Sequence, residues 1–328
     1  MPTNLPPEYF KAEERYRAAR TAKEKIAALE ELLRIVPKHK GTDKLRGDLK
    51  RRLAKLKESG QKKGGASRQV SPFAIEREGA GQVVLIGPPN SGKSSLLAAT
   101  TRAAPEVAAF PFTTWTPTQG MLEFEQIKIQ LIDTPPLQPE YLDPELVNLI
   151  RRADLAVLVL DLQAGPLNQL EAMQSLLQEK NILLQASAPR TAAASGSRDL
   201  PVLLAANKDD DEGLDEDLAI LGELVGEGWP LIGISAASGR NLEAFKHEVF
   251  TRLGVIRVFS KAPGKEPDLT EPFVLKAGST VQDLAVKLHR DFGEKLKSAR
   301  IWGQGVYEGQ LVGREHLLND LDVVELRL

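Results

Sequence analysis

Apolar positions set the organisation of this chain before any motif does. Ile26, Leu29, Leu32, Leu33 and Val36 recur on one helical face until Pro37, which cannot continue a helix, stops the run. Thr21 and Glu24 have the spacing of a capping box at its start. After Gly41, Thr42 opens a second stretch in which Leu45, Leu49, Leu53 and Leu56 make one stripe. Lys44, Lys50, Arg51, Arg52, Lys55 and Lys57 occupy its other faces. The pattern predicts a helical hairpin with a cationic outer surface, and residues 61–69, QKKGGASRQ, have linker composition.

Beyond the linker the period changes. Val83 to Ile86 is a short apolar run, and Met121–Phe124 and Ile127–Ile132 flank a two-residue turn at Glu125 and Gln126. Leu155 to Leu160 reads as a strand buried on both faces, and Pro201 and Pro230 lead into the runs Val202–Ala206 and Leu231–Ile234. Helical spacing appears near 166–180, 211–226 and 239–253. Such alternation predicts an α/β fold with a mostly parallel sheet covered by helices. Residues 185–199 are small and polar and read as a mobile surface loop. After Gly254 the texture is α+β: short strands at Ile256–Phe259, Phe273–Leu275 and Val323–Leu326, and a helix from Thr280 and Asp283 to about His289.

Charge sharpens this division. The 328 residues carry 43 Lys plus Arg against 45 Asp plus Glu, a formal charge of −2. Residues 1–70 alone hold 19 basic and 9 acidic side chains, a net of +10, which leaves −12 for the rest. A basic head on an acidic body points to contact with nucleic acid or an acidic partner, although a solvated helical face has the same composition. The absence of Cys excludes disulfides, thiolate zinc sites and cysteine nucleophiles, and the four scattered histidines offer no paired metal ligands. No signal-peptide core and no stretch of about 18 apolar residues is present, so a cytoplasmic protein without a membrane contact is expected.

The chemistry-bearing motifs sit at strand ends. Gly87-Pro88-Pro89-Asn90-Ser91-Gly92-Lys93-Ser94 matches G-x-x-x-x-G-K-[ST] between the strand QVVLI and the helical run that begins with Ser94 and Ser95. Backbone N–H groups at a helix start can wrap phosphates where glycine removes Cβ clashes, Lys93 can reach the β and γ phosphates, and Ser94 can bind Mg²⁺. Asp133 ends the strand IKIQLI, where a carboxylate can hold the metal through water. Asn207-Lys208-Asp209-Asp210 follows VLLAA and gives N-K-x-D. Asp210 can accept from guanine N1–H and its 2-amino group together, a donor pair adenine lacks. Asn207 is expected to brace loop and base, the Lys208 stem to pack on the ring, and the Ala236 N–H, in Ser235-Ala236-Ala237, to meet guanine O6. Asp209, Asp211 and Glu212 read as an acidic turn at a helix start.

With these motifs in order, the sequence resembles a GTPase. Phe110-Pro111-Phe112-Thr113-Thr114 is similar to the switch I sequence of Obg-related GTPases, which implies Thr114 as a metal ligand, with Thr113 as the alternative. Residues 37–57 resemble the helical region of the developmentally regulated GTP-binding protein (DRG) family, and residues 272–328 that family's C-terminal TGS domain, a β-grasp module. The resemblance divides the chain into a basic hairpin and linker at 1–70, a P-loop GTPase domain at 71–254 and a TGS domain at 255–328. It implies GTP and GDP as ligands, Mg²⁺-dependent GTP hydrolysis, and a ribosome or structured RNA as partner, with no DNA or membrane role. The intact N-K-x-D disfavours an ATPase of the kind found among some Obg relatives.

Two departures qualify the resemblance. The family's inserted subdomain before N-K-x-D is expected to be absent, since only 45 residues separate Asp161 from Asn207. Asp133-Thr134-Pro135-Pro136 replaces D-x-x-G, and Pro136 lacks the N–H that the glycine gives to the γ-phosphate. Leu137 follows, where many GTPases hold the water-orienting Gln. The expectation is a slow GTPase or, alternatively, a GTP-binding scaffold with weak or lost hydrolysis. Asn90 stands where relatives hold K⁺, a role as open as simple loop shaping. Trp115, Trp229, Trp302 and His289 read as packing or surface residues. The Arg151-Arg152 pair reads as complementing a helix C-terminus rather than as an arginine finger.

Overall fold

A computed structural model gives the fold and describes residues 16, 28–29, 31–33, 35–36, 49, 71–101, 116–139, 142–186, 197–226 and 228–327. The chain forms two units, Met1–Ser71 and Pro72–Leu328. In the first, Leu29, Leu32, Val36 and Leu49 are buried together, with Tyr16, Leu33 and Ile35 packed on them. The expected capping pair at Thr21, the start at Thr42, the rest of the second stripe, its cations and the linker lie outside the described residues.

The second unit contains a mixed seven-stranded sheet. Its strands are β1 (Gln82–Ile86), β2 (Thr118–Phe124), β3 (Ile127–Asp133), β4 (Leu155–Asp161), β5 (Ile182–Gln185), β6 (Arg198–Asn207) and β7 (Leu231–Gly233), in the order β2-β3-β1-β4-β6-β5 with β7 also on β6. All neighbours run parallel except β2 and β3, an antiparallel hairpin over Glu125 and Gln126. Helices α1 (Lys93–Thr100), α2 (Pro144–Arg152), α3 (Pro166–Glu179), α4 (Asp215–Val225) and α5 (Leu242–Leu253) complete this part. The apolar runs have a direct cause. Val84, Ile86, Ala156 and Leu158 pack with Leu149 of α2 and Leu177 of α3, whereas Val83, Leu85, Val157 and Val159 pack with Leu97 of α1 and Phe245 of α5. Strands covered on both faces have no polar side to show.

Three details differ from the pattern-based expectation. Strand β6 runs through Pro201 because its first residues pair with β5, and β4 joins only from Val202 onward. Proline is tolerated where one side of a strand lacks a partner. Consequently the expected loop at 185–199 gives Gln185 to β5 and Arg198 to β6, and residues 187–196 lie outside the described residues. Helix α4 starts late, after a 3₁₀ turn at Glu212–Leu214 that the Asp211 side chain caps by accepting from the Gly213 N–H.

The C-terminal module is a five-stranded sheet of β8 (Val255–Ser260), β9 (Phe273–Lys276), β10 (Ser298–Trp302), β11 (Gln310–Val312) and β12 (Asp322–Arg327), ordered β11-β10-β12-β8-β9. Helix α6 (Val281–Leu288) begins at the expected Thr280 and Asp283 capping box, and α7 (Arg290–Lys295) follows it. Val281, Leu284 and Ala285 of α6 fill one core with Val258, Ile301 and Val324. Arg257 of β8 joins this module to the rest. Its guanidinium pairs with Asp320 at 2.6 Å, meets Glu125 of the β2–β3 turn, and lies 4.9 Å from the Phe250 ring.

Candidate nucleotide site

The phosphate-binding candidate begins where β1 stops. Gly87 has φ +149° and a Cβ there would come within 2.4 Å of the Val159 carbonyl oxygen; Gly92 has φ +91° and would meet Asn207 Nδ2 at 2.1 Å. Both glycines are therefore set by close approach as well as by conformation. Asn90 also adopts a left-handed φ of 60°. No side chain caps α1, so its first N–H groups face the loop without a side-chain acceptor. Ser91 is fully buried and donates to the Pro88 carbonyl. Lys93 is buried too, with Nζ donating to the carbonyls of Gly87 at 3.1 Å and Pro88 at 2.8 Å. Burial lowers its pKa to about 8, against the pull of Asp133.

A cleft of about 660 Å³ opens here, lined by Lys93, Ser94, Thr116, Asp133, Pro136 and Lys208 among others. Ser94 Oγ donates to Asp133 Oδ2 at 2.5 Å, while Asp133 Oδ1 is buried without a partner among the described residues. Burial raises the Asp133 pKa, opposed by the Ser94 hydrogen bond and the Lys93 charge. A hydroxyl beside an unsatisfied carboxylate oxygen is the all-oxygen donor chemistry that Mg²⁺ takes, so these two residues fit that ion. Thr113 and Thr114 lie outside the described residues.

The segment after Asp133 is bound to the P-loop strand and its following glycine. Thr134 donates its N–H and hydroxyl to the Leu85 carbonyl, and the Leu137 N–H donates to the Gly87 carbonyl at 3.2 Å. Leu137 itself is buried in the core. Pro136, between them, has no N–H, and it lines the cleft.

On the base side, Asn207 ends β6 with its amide between two loops. Nδ2 donates to the Ser91 carbonyl at 2.9 Å and Oδ1 accepts from the Ala236 N–H at 3.0 Å. The Ala236 N–H expected for a guanine oxygen is thus held by Asn207 here. Asp210 Oδ1 accepts from Ser235 Oγ at 2.6 Å, and Ser235 Oγ in turn accepts from the Ser238 N–H. Lys208, at φ 69°, pairs with Asp161 at 2.5 Å. The motif residues Gly87 to Ser95, Asn207 to Asp210, and Ser235 with Ala236 therefore gather at the C-terminal ends of β1, β6 and β7, where open α/β sheets take their ligands.

Two neighbours of the site, Asp209 and Arg240, have a pairing that the sequence pattern does not show. Asp209, read as part of an acidic turn at a helix start, is fully buried and pairs with Arg240 at 2.8 Å. The available signal was Arg240 itself, the sole cation between Lys208 and Lys246 in a strongly acidic stretch. Other expectations hold as packing. The Arg151 guanidinium donates to the Lys180 carbonyl and Arg152 to its own helix, and neither lines the cleft. Trp229 packs on the core, Lys261 sits 4.2 Å over the Trp302 ring, and His289 caps α7; Trp115 lies outside the described residues.

Fold and motifs together define a P-loop GTP-binding protein with a TGS domain. The family described as 50S ribosome-binding GTPase matches residues 82–188, and the TGS domain family matches residues 256–327. An uncharacterized GTP-binding protein of Methanocaldococcus jannaschii is 30% identical, with 92% of each chain covered. Developmentally-regulated G-protein 3 of Arabidopsis thaliana is 27% identical, covering 93% of this chain and 98% of its own. Ribosome-interacting GTPase 1 of Saccharomyces cerevisiae is 25% identical, covering 93% and 99%. The chain belongs to the developmentally regulated GTP-binding protein family and is a GTP-binding protein of the ribosome-interacting GTPase type. These alignments span 365 to 370 positions, more than the 328 residues of this chain, so the relatives contain residues it lacks. Among the described residues no helix is long and apolar enough to cross a membrane.

Proposed function

We propose that this protein hydrolyses GTP to GDP and phosphate as a ribosome- or RNA-associated switch, slowly unless a partner assists. The observation that carries the reading is the Asn207 amide, which ties the P-loop at Ser91 to the Ser235-Ala236 loop and so assembles phosphate and base subsites as one unit. In the Gly87-to-Ser95 loop, where Pro88 and Pro89 carry no N–H, the backbone N–H groups of the other residues surround the phosphates, Lys93 stabilises their charge, and Asn207, Lys208, Asp210, Ser235 and Ala236 select guanine. Ser94, Thr114 and, through water, Asp133 would hold Mg²⁺, which when bound neutralises phosphate charge. Asn90 is the candidate K⁺ residue. Phosphoryl transfer to water needs positioning and charge neutralisation more than covalent chemistry, and we assign no general base. Residues 1–70 and 255–328 serve as docking elements flanking a GTPase domain at 71–254.

One observation favours a second reading, a GTP-binding scaffold with lost hydrolysis. Pro136 offers the γ-phosphate no N–H, and the next one, on Leu137, is already held by Gly87. Comparison of GTP and GDP affinities with single-turnover rates, for the native protein and Pro136→Gly, separates the two. The switch reading expects unequal affinities, a partner-free rate on the order of 10⁻⁴ to 10⁻² s⁻¹, and a faster Pro136→Gly. Equal affinities and no turnover would establish the scaffold, because a ligand that binds two states alike shifts neither. Identical turnover in K⁺ and Na⁺ would remove the role given to Asn90.

A further inference from the structure

We infer that Arg240 is a positioning residue for guanine selectivity, clamping the Asn207-to-Asp210 loop and the Ser235-Ala236 loop into one rigid base site; this rests on the guanine reading proposed above. Its side chain grips the first loop at Asp209 and the segment that follows it at two further points, before the 3₁₀ turn and at the start of α4. Nη1 donates to Asp209 Oδ1 at 2.8 Å and to the Asp211 carbonyl at 2.7 Å, and Nη2 donates to Asp215 Oδ1 at 2.6 Å. Its main chain grips the second loop, since the Arg240 carbonyl accepts from the Ser235 N–H at 3.1 Å. Ser235 Oγ then donates to Asp210 Oδ1 at 2.6 Å. A ring of contacts thus runs from Arg240 through Asp209 to its chain neighbour Asp210, on to Ser235 and back to Arg240.

The ring explains why Asp209 is buried. Its N–H donates to the Ile234 carbonyl, and its Oδ2 lies where a Cβ on Gly233 would approach to 2.7 Å, so the carboxylate occupies the space at the β7 end that the glycine leaves open. A buried carboxylate needs a paired charge, and Arg240 provides it. With Asp209 pinned inward, the next residue, Asp210, is held against Ser235, with carboxylate lone pairs remaining for a base. Without Arg240, Asp209 would have to neutralise or leave the core, and Asp210 would move with it.

The test is the ratio of GTP to ITP affinity. ITP lacks only the 2-amino group, so the ratio reads the placement of Asp210 and not the phosphate contacts. The native protein is expected to prefer GTP by roughly 10-fold or more, the worth of one hydrogen bond to a charged group. In Arg240→Gln the ratio is expected to fall to about 2-fold, and in Arg240→Lys, which keeps the charge but not the fork that spans three acceptors, to an intermediate value. The double variant Asp209→Asn with Arg240→Gln restores a neutral buried pair and should recover part of the ratio. Thermal melting of each variant identifies any that do not fold, and Arg240→Lys carries the test if Arg240→Gln does not. A lowered melting temperature with the native ratio would overturn the clamp. Equal affinity of the native protein for GTP and ITP would instead overturn the guanine reading on which it stands.

Discussion

In the proposed function, base selectivity rests on a single carboxylate, Asp210, which accepts from Ser235 Oγ at 2.6 Å. Replacing it by Asn keeps the size but exchanges an acceptor for a donor. Asp210→Asn is therefore expected to weaken GTP by at least about 10-fold and to favour XTP, whose 2-oxo group can accept from the amide. Competition between XTP and GTP against a fluorescent guanine nucleotide measures this, and retained GTP preference would refute the base contact. Residues of this kind were legible in the chain because chemistry dictates their type. Gly87 and Gly92 have to lack a Cβ, and Lys93 and Ser94 follow at a spacing that a helix start imposes. Asp209 was not legible, since three aspartates stand in a row and only the folded register decides which one turns inward. That decision depends on Gly233 and Arg240, both distant in sequence, which leave it space and charge.

At the scale of elements, strands buried on both faces declared themselves as apolar runs, and β1 and β4 follow them closely. Strand β10 did not, because Ser298 and Arg300 alternate with Ala299 and Ile301 and only the second pair reaches the core. Helix α2 carries start signals in its sequence: Asp143 caps it and Pro144 occupies its first turn. Least legible was the attachment of the terminal module. A lone Arg257 in VIRVFS gives no hint that Glu125, over a hundred residues earlier, will meet it. This joint has a pH signature. Burial alone would raise the Asp320 pKa, but hydrogen bonds from the Arg257 side chain and backbone hold it below the usual carboxylate value. A depressed folded pKa gives stability that is present above the unfolded value of 3.8 and is lost as pH falls through the folded one. Asp320→Asn is accordingly expected to cost about 1–3 kcal/mol at pH 7, with the gap to the native protein closing below pH 4. Burial raises Asp133, Asp209 and Asp322 and gives them the opposite dependence, but they are common to both proteins and cancel in the comparison. Melting temperatures of the pair from pH 7 to pH 3 check it, and a constant gap would deny the ion pair its role.

For the whole molecule the decisive quantity is how charge divides between the two units. The net charge of −2 hides +10 in residues 1–70 and −12 in the rest, and the boundary between Met1–Ser71 and Pro72–Leu328 falls almost at the same place. Among the described residues, the four apolar clusters of the second unit contain none from before Phe73. An acidic body would repel a phosphate backbone, so on the proposed reading any binding to a ribosome would come from the head or from local patches. If the head makes on the order of six phosphate contacts, affinity should drop roughly 10³-fold between 50 and 200 mM salt, because each neutralised phosphate releases counterions. Removal of residues 1–70 should both weaken co-sedimentation with ribosomes at low salt and flatten its salt dependence, while GTP affinity stays near that of the full chain. Repeating the series with GDP and with a non-hydrolysable GTP analogue shows whether the nucleotide site governs that contact. An unchanged salt slope after truncation would place ribosome binding in the acidic unit and leave the basic head without the role its charge suggests.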